Sequence, residues 1–171
     1  DCDLDLAVSG TDGTPNRRLI IYQNNGNNSF TNIAEPMGAN MGLENASVRW
    51  GDYDNIGNLD LAVSGYGTNY RLIIYRNPVN DSFTSTVEPM GVNAGVSQSS
   101  IQWGDYDNDG DLDLAVSGDT GGGTNNRLII YRNDNNYSSN IRPSAPTAMS
   151  PSGNSIASGE TITFSWMDSM G

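Results

Sequence analysis

An identical heptapeptide occurs three times in this chain, and its spacing limits the possible folds more than any other feature. Leu-Asp-Leu-Ala-Val-Ser-Gly occupies residues 4–10, 59–65 and 112–118, and its central aspartates, Asp5, Asp60 and Asp113, lie 55 and 53 residues apart. Arg-Leu-Ile-Ile-Tyr follows each copy, at residues 18–22, 71–75 and 127–131. A period of roughly 20 to 50 residues is typical of solenoids and propellers, so the chain is a repeat protein.

Each repeat contains four short runs that alternate between apolar and polar residues and end in Gly, Asn, Asp or Pro. In the second repeat these runs are residues 47–51, 59–64, 71–76 and 82–87. Alternation with period two indicates strands, and no segment shows a sustained period of 3.6 residues. We therefore predict an all-β fold of β-propeller blades, each with four antiparallel strands. The chain would hold about two full blades plus partial ones, in units 1–46, 47–99 and 100–138 of a propeller region spanning residues 1–138.

The composition changes after the third repeat. Residues 139–147 are rich in Pro and Ser and are predicted to form an extended linker. In residues 148–171, Ile162, Phe164 and Trp166 alternate with polar residues, which predicts the first strands of a β-sandwich. This segment resembles the start of a fibronectin type III or immunoglobulin-like domain. Two full repeats cannot close a ring alone, so we expect a fragment, an open blade stack, or self-association that completes the array.

The net charge of the chain limits the classes of partner that it can bind. Acidic residues outnumber basic ones 20 to 8, giving a net charge of −12. Such a chain repels phosphate backbones and anionic lipids, so we expect no nucleic acid partner. No run of 18 apolar residues is present, so we expect no membrane insertion. Divalent cations are the partners that this charge favours.

The aspartates of the third repeat have the spacing of a calcium loop. Carboxylates at alternate positions with a glycine at the sixth position allow a tight loop to surround a hard cation with oxygens. Gly110 would supply the sharp turn. The alternative is a turn whose side chains bond only to their own backbone. The predicted side-chain ligands are Asp105, Asp107, Asp109 and Asp113, and Asp111 would offer its backbone carbonyl.

The other two copies of the loop are less complete. The second copy places Ile56 where the fifth ligand belongs, which predicts weaker binding there. Its predicted ligands are Asp52, Asp54 and Asp60, with the carbonyl of Asn58. The first copy retains Asp1, Asp3 and Asp5 but has Cys2 in place of the glycine, so we expect no metal binding there.

The run Trp-Gly-Asp-Tyr-Asp-Asn-Asp-Gly-Asp-Leu-Asp-Leu-Ala-Val-Ser-Gly at residues 103–118 resembles the FG-GAP or VCBS repeat. This repeat forms the blades of integrin α-subunit propellers and of many large bacterial surface proteins. The resemblance implies a seven-bladed propeller with Ca²⁺ in its inter-strand loops. It also implies a location outside the cell or on its surface, and a role in adhesion or ligand recognition or as an accessory module.

Three classes of function remain open at this point. The first is a non-catalytic calcium-binding module that recognises a protein or carbohydrate ligand through loops that differ between repeats, at residues 11–16, 66–70 and 119–126. The second is a structural stalk or filament subunit, and the third is an accessory domain of a secreted hydrolase or lyase. We expect no enzymatic activity, because the chain has no histidine and its aspartates have metal-ligand spacing.

Overall fold

The computed structural model describes residues 4–13, 16–78, 81–122 and 125–134, with the backbone alone for residues 84–86. The regular structure in these ranges consists of strands, which confirms the predicted all-β fold. The described residues belong to one compact unit, Asp1–Asn140. The predicted linker 139–147 and the predicted sandwich segment 148–171 lie outside the described residues.

The strands form three antiparallel sheets in which chain neighbours are also sheet neighbours. The first sheet contains β1 (Leu6–Gly13), β2 (Asn16–Asn24) and β3 (Phe30–Ala34). The second sheet contains β4 (Glu44–Gly51), β5 (Asp60–Tyr66), β6 (Tyr70–Arg76) and β7 (Thr84–Val87). The third sheet contains β8 (Ser97–Gly104), β9 (Asp113–Asp119) and β10 (Asn126–Tyr131). The second sheet is thus the predicted four-stranded blade.

The central strands of the second sheet, β5 and β6, are buried on both faces, which explains the apolar runs Leu-Ala-Val and Leu-Ile-Ile in their sequences. Leu61, Val63 and Ile73 pack with Leu19 and Ile21 of the first sheet. On the opposite face, Ala62, Leu72 and Ile74 pack with Leu114 and Val116 of the third sheet. Successive residues of one strand thus join two different cores, because side chains alternate across a strand.

Glycines allow the connections between sheets to cross closely over the neighbouring strand. A Cβ atom on Gly42 would lie 2.2 Å from the carbonyl carbon of Arg18, and one on Gly95 would lie 2.1 Å from that of Arg71. The residues that follow, Leu43 and Val96, are buried between the sheets. The repeated Gly-Leu and Gly-Val pairs therefore set the spacing of consecutive blades.

Candidate metal centre

Two acidic loops occupy equivalent places at one end of the sheets. Residues 52–59 join β4 to β5, and residues 105–112 join β8 to β9. Their backbones turn alike, with φ of 56° at Asn55 and 62° at Asn108, and 90° at Gly57 and 99° at Gly110. A positive φ is accessible to glycine and, among other residues, mainly to Asn and Asp, so these residue types fix the shared path of the loops.

The third-repeat loop brings three of its predicted ligands together. Carboxylate oxygens of Asp105, Asp107 and Asp109 lie within 4.8 Å of one another. The Asp105 carboxylate accepts hydrogen bonds from the backbone N–H groups of Asp109 at 3.0 Å and Gly110 at 3.2 Å, which close the loop around it. Two unit charges about 4 Å apart repel by about 4 kcal/mol at an effective dielectric near 20. The cluster therefore favours a bound cation electrostatically.

The third-position aspartates of both loops are held in the same orientation by arginines that close the following hairpin. Arg132 Nε lies 2.9 Å from Asp107 Oδ2, and Arg76 forms the equivalent ion pair with Asp54 Oδ2. The other oxygen of each carboxylate, Oδ1, is buried and has no hydrogen-bond partner. A buried carboxylate oxygen without a partner is costly unless something binds it, so both loops fit a cation at this point.

The ninth-position aspartates bond to the backbone on two sides. Asp60 accepts hydrogen bonds from Tyr53 N at 2.9 Å and from Asn77 N at 2.8 Å. Asp113 accepts from Tyr106 N at 2.6 Å and from Asn133 N at 2.8 Å. These carboxylates therefore tie each loop to the end of the hairpin that follows it, a role that the sequence reasoning missed.

Asp60 is also desolvated. Its side chain is fully buried, and burial raises the pKa of the Asp60 carboxyl above its usual value, although the N–H group of Asn77 acts in the opposite direction. The nearby Asp54 carboxylate raises the Asp60 pKa further. A cation bound in this loop, in addition to the Arg76 guanidinium, would offset both effects on the Asp60 pKa.

The second-repeat loop gathers Asp52, Asp54 and Asp60, with carboxylate oxygens within 4.8 Å of one another. Ile56, at the fifth position, is exposed and offers no ligand oxygen from its side chain. Asn58, whose carbonyl was the predicted ligand, donates from its side chain to the carbonyl of Pro78 at 3.3 Å. Each loop thus gathers three carboxylates, but this loop lacks the side-chain oxygen that the third-repeat loop has at its fifth position.

The first copy of the loop lies mostly outside the described residues, which include Asp5 but neither Asp1 nor Asp3. Asp5 Oδ1 accepts a hydrogen bond from Asn24 N at 2.9 Å. This bond is equivalent to those of Asp60 with Asn77 and Asp113 with Asn133. Asp5 thus serves the same structural purpose as the other ninth-position aspartates.

The two described loops contact each other across the interface between sheets. Asn55 Nδ2 donates to Asp111 Oδ1 at 2.5 Å. Burial, reinforced by the charges of Asp109 and Asp113, raises the pKa of Asp111 above its usual value, which this hydrogen bond partly opposes. The side chain of Asp111 therefore bonds to the neighbouring loop, which leaves its backbone carbonyl as the predicted ligand.

Arg76 and Arg132 contact the acidic loops, and the sequence reasoning did not identify them. A signal for them exists, because Tyr-Arg-Asn ends the second strand pair in two repeats, at residues 75–77 and 131–133. The first repeat has Tyr22-Gln23-Asn24 instead. The arginine thus accompanies the two repeats whose acidic loops are described, while the asparagine is present in all three.

A comparison with known protein families identifies a family whose model matches this chain. A model of the FG-GAP-like repeat matches the chain twice, at residues 1–63 and 52–116. These matches span more than half of the 171 residues and include both described loops. No curated protein matches the chain. The matched region ends before the predicted sandwich segment, whose fibronectin-like character stays a prediction.

Proposed function

We propose that this chain, which belongs to the FG-GAP-like repeat family, is a non-catalytic module that binds Ca²⁺ in its inter-strand loops and recognises a ligand outside the cell. Repeats of this family form β-propeller-like modules that are typically non-catalytic and occur in extracellular proteins. In the described part of the chain, no helix is long and apolar enough to cross a membrane.

The buried, unpartnered Oδ1 of Asp107 is the observation that most supports calcium binding. It belongs to a cluster of three carboxylates, while Arg132 holds the opposite oxygen of the same side chain. Groups that orient the ligands of a metal are a regular feature of metal sites. Oxygen-only ligands suit Ca²⁺, which accepts a variable coordination geometry, better than Mg²⁺, which requires a stricter octahedral arrangement.

Calcium would act here as a structural ion. Asp105, Asp107, Asp109 and the carbonyl of Asp111 would hold it, and it would neutralise the repulsion among these carboxylates. Because Asp111 also bonds to Asn55 of the preceding loop, the ion would stiffen the contact between two blades as well as its own loop.

A groove at the opposite end of the sheets supports the recognition half of the proposal. It has a volume of about 280 Å³ and lies between the first and second sheets, where β5 turns into β6. Its lining includes Asn40, Asn69 and Thr68, the methionines Met37 and Met41, and Arg17 and Arg71, which form ion pairs with Glu44 and Glu88. Side chains rich in hydrogen-bond donors suit a polar ligand such as a glycan or an extended peptide. The predicted recognition loop 66–70 contributes to this groove.

Calcium titration of the metal-stripped chain by isothermal calorimetry, with thermal melting in parallel, tests the proposal. We expect saturable heat and a higher melting temperature, because a ligand that binds only the folded state stabilises it by mass action. The stabilisation is about 2.7 kcal/mol at a free calcium concentration 100 times the Kd.

Two aspartate substitutions separate a specific site from a general effect of charge. Asp107→Asn keeps the shape of the side chain but removes the third-position charge, and we expect it to weaken binding by about tenfold or more. Asp12→Asn makes the same change of charge on an exposed residue of β1 and should bind as the parent chain does. Equal affinity for both variants, or no heat with the parent chain, would contradict calcium binding in this loop.

A further inference from the structure

We propose that the second-repeat and third-repeat loops bind calcium cooperatively, so that an ion in either loop raises the affinity of the other. The inference rests on the proposed calcium binding and goes beyond it, because two sites on one chain can also fill independently. Two sets of contacts carry it, and both join the loops across the interface between the second and third sheets.

The first contact is a hydrogen bond between side chains of the two loops. Asn55 Nδ2 donates to Asp111 Oδ1 at 2.5 Å, although the two residues are 56 positions apart in the chain. Asn55 directly follows the third-position aspartate Asp54, and Asp111 is the seventh-position residue whose carbonyl is a predicted ligand. A change in the backbone of either loop therefore moves one end of this bond.

The second contact is a continuous row of hydrogen bonds between the two ninth-position aspartates. The row begins at Asp60, which accepts from Tyr53 N at 2.9 Å. The carbonyl of Tyr53 accepts from Asn133 Nδ2 at 2.8 Å. The row ends at Asp113, which accepts from Asn133 N at 2.8 Å. Two residues thus connect the carboxylate that ties down one loop with the carboxylate that ties down the other.

This row of hydrogen bonds is buried along its whole length. Tyr53, the most exposed of its four residues, is only 7% exposed. The ring of Tyr53 also lies 6.0 Å from that of Trp103, which precedes the third-repeat loop. A buried polar group that loses its partner is costly, so the bonds of the row form together more readily than singly.

The sign of the coupling follows from the order that the first ion imposes. Without an ion, repulsion among three carboxylates opposes the closed form of each loop. An ion that closes one loop also fixes the Asn55–Asp111 bond and the buried row, which belong equally to the other loop. The second ion then binds a loop that loses less conformational entropy, which is positive cooperativity. Linkage makes the effect equal in both directions.

Isothermal calorimetry of three metal-stripped chains, with calcium as the probe, measures the coupling. Asp52→Asn removes the first-position charge from the second-repeat loop, and Asp105→Asn removes it from the third-repeat loop. Each variant should bind one ion at calcium concentrations that leave the altered loop empty. We expect the product of the two dissociation constants of the parent chain to be at least about fivefold smaller than the product of those of the two variants.

Asn55→Gly determines whether the coupling passes through the bond to Asp111. Glycine removes the side chain and accepts the φ of 56° found at this residue. When the three titrations are repeated with Asn55→Gly in every chain, the ratio of the two products should fall toward one. The matched control is Asn45→Gly, which makes the same change at an exposed residue with φ of 49° at the opposite end of β4. It should leave the ratio unchanged.

Hydrogen exchange gives a readout that does not depend on a second ion. In Asp52→Asn, calcium bound in the third-repeat loop should slow the exchange of the N–H groups of Tyr53 and Asn77, which bond to the ninth-position carboxylate of the empty loop. The N–H group of Asn24, which makes the equivalent bond in the first sheet, is the reference and should change little. Unchanged exchange at Tyr53 and Asn77 would overturn the coupling.

The titrations separate failure of the cooperativity from failure of calcium binding itself. No calcium heat with the parent chain contradicts both. A single ion per parent chain, or two ions whose product of dissociation constants is equal to or larger than that of the variants, overturns the cooperativity and leaves calcium binding standing. An unchanged ratio with Asn55→Gly overturns the role of the bond between Asn55 and Asp111. Circular dichroism and thermal melting establish that every variant is folded.

Discussion

Asn133 donates a hydrogen bond from its side-chain Nδ2 to the backbone carbonyl of Tyr53, 2.8 Å away and 80 residues earlier in the chain. The same amide also donates to the carbonyl of Leu112 at 3.3 Å, and Asn133 is only 3% exposed. Tyr53 belongs to the acidic loop of the second sheet, and Leu112 belongs to that of the third. One buried side chain therefore joins the two candidate metal loops.

Replacing Asn133 by alanine is expected to destabilise the fold. The substitution removes the donor for two carbonyls in a buried place, and a buried group left without its partner costs about 1–3 kcal/mol. Urea unfolding measures the loss. Asn126→Ala, at an exposed position of β10, should change the free energy of unfolding by less than about 0.5 kcal/mol. A similar effect for both variants would show that Asn133 does not join the loops.

The sequence predicts a large part of this structure because the repeat leaves few alternatives. Leu61 and Val63 point to one face of their strand and Ala62 points to the other. Small or apolar residues on both faces indicate a strand buried on two sides, and the structure buries all three. The aspartate spacing likewise predicts that Asp105, Asp107 and Asp109 approach one another, although Asp113, which was predicted with them, lies outside this cluster. These features depend on residues close together in the chain, where the local backbone fixes the direction of each side chain.

The features that the sequence reasoning missed depend on contacts between distant residues. Arg76 reaches Asp54 and Arg132 reaches Asp107 only because the hairpin returns each arginine to the loop that precedes it. The ninth-position carboxylate of Asp60 bonds to Asn77 for the same reason. Sequence spacing alone predicts that Asp60 is a metal ligand. Its hydrogen bond to Asn77 depends on the register of the sheet, which the spacing does not reveal.

Gly95→Ala is expected to disturb the packing of the second sheet on the third. The new Cβ would lie 2.1 Å from the carbonyl carbon of Arg71, so the backbone must move, and overpacking of this kind costs about 1–3 kcal/mol. Thermal and urea unfolding measure the effect. Gly104→Ala is the matched control, because its Cβ would meet nothing within 4 Å. Equal stability of the two variants would indicate that the crossing is loose.

Tyr75 is expected to make the stability of the chain depend on pH in the alkaline range. Burial raises the pKa of the Tyr75 hydroxyl from 10.0 to about 12. The folded state therefore keeps a proton that the unfolded chain loses first, and the free energy of unfolding falls as the pH rises from about 10 to about 12. All eight basic residues are arginines, so no lysine titration obscures this window.

Urea unfolding at a series of pH values tests this expectation. Tyr75→Phe should reduce the decline in stability over the window, because phenylalanine has no proton to lose. Tyr106→Phe is the control, since Tyr106 is 67% exposed. If both variants decline with pH as steeply as the parent chain, the alkaline loss of stability has another origin.

The fifth residue is Ile56 in one acidic loop and Asp109 in the other, so exchanging the two residue types should change the calcium affinities of the two loops in opposite directions. Ile56→Asp adds a carboxylate to the cluster of Asp52, Asp54 and Asp60, so it should destabilise the calcium-free chain by repulsion and raise the affinity of this loop for calcium by about tenfold. Asp109→Ile should lower the affinity of the third-repeat loop by a similar factor.

Calorimetry and thermal melting with and without calcium measure both effects. Val92→Asp, which adds a charge at a remote exposed site, should change neither affinity. If the calcium affinity of both loops does not depend on the fifth residue, Asp109 acts as a turn former and does not bind the ion.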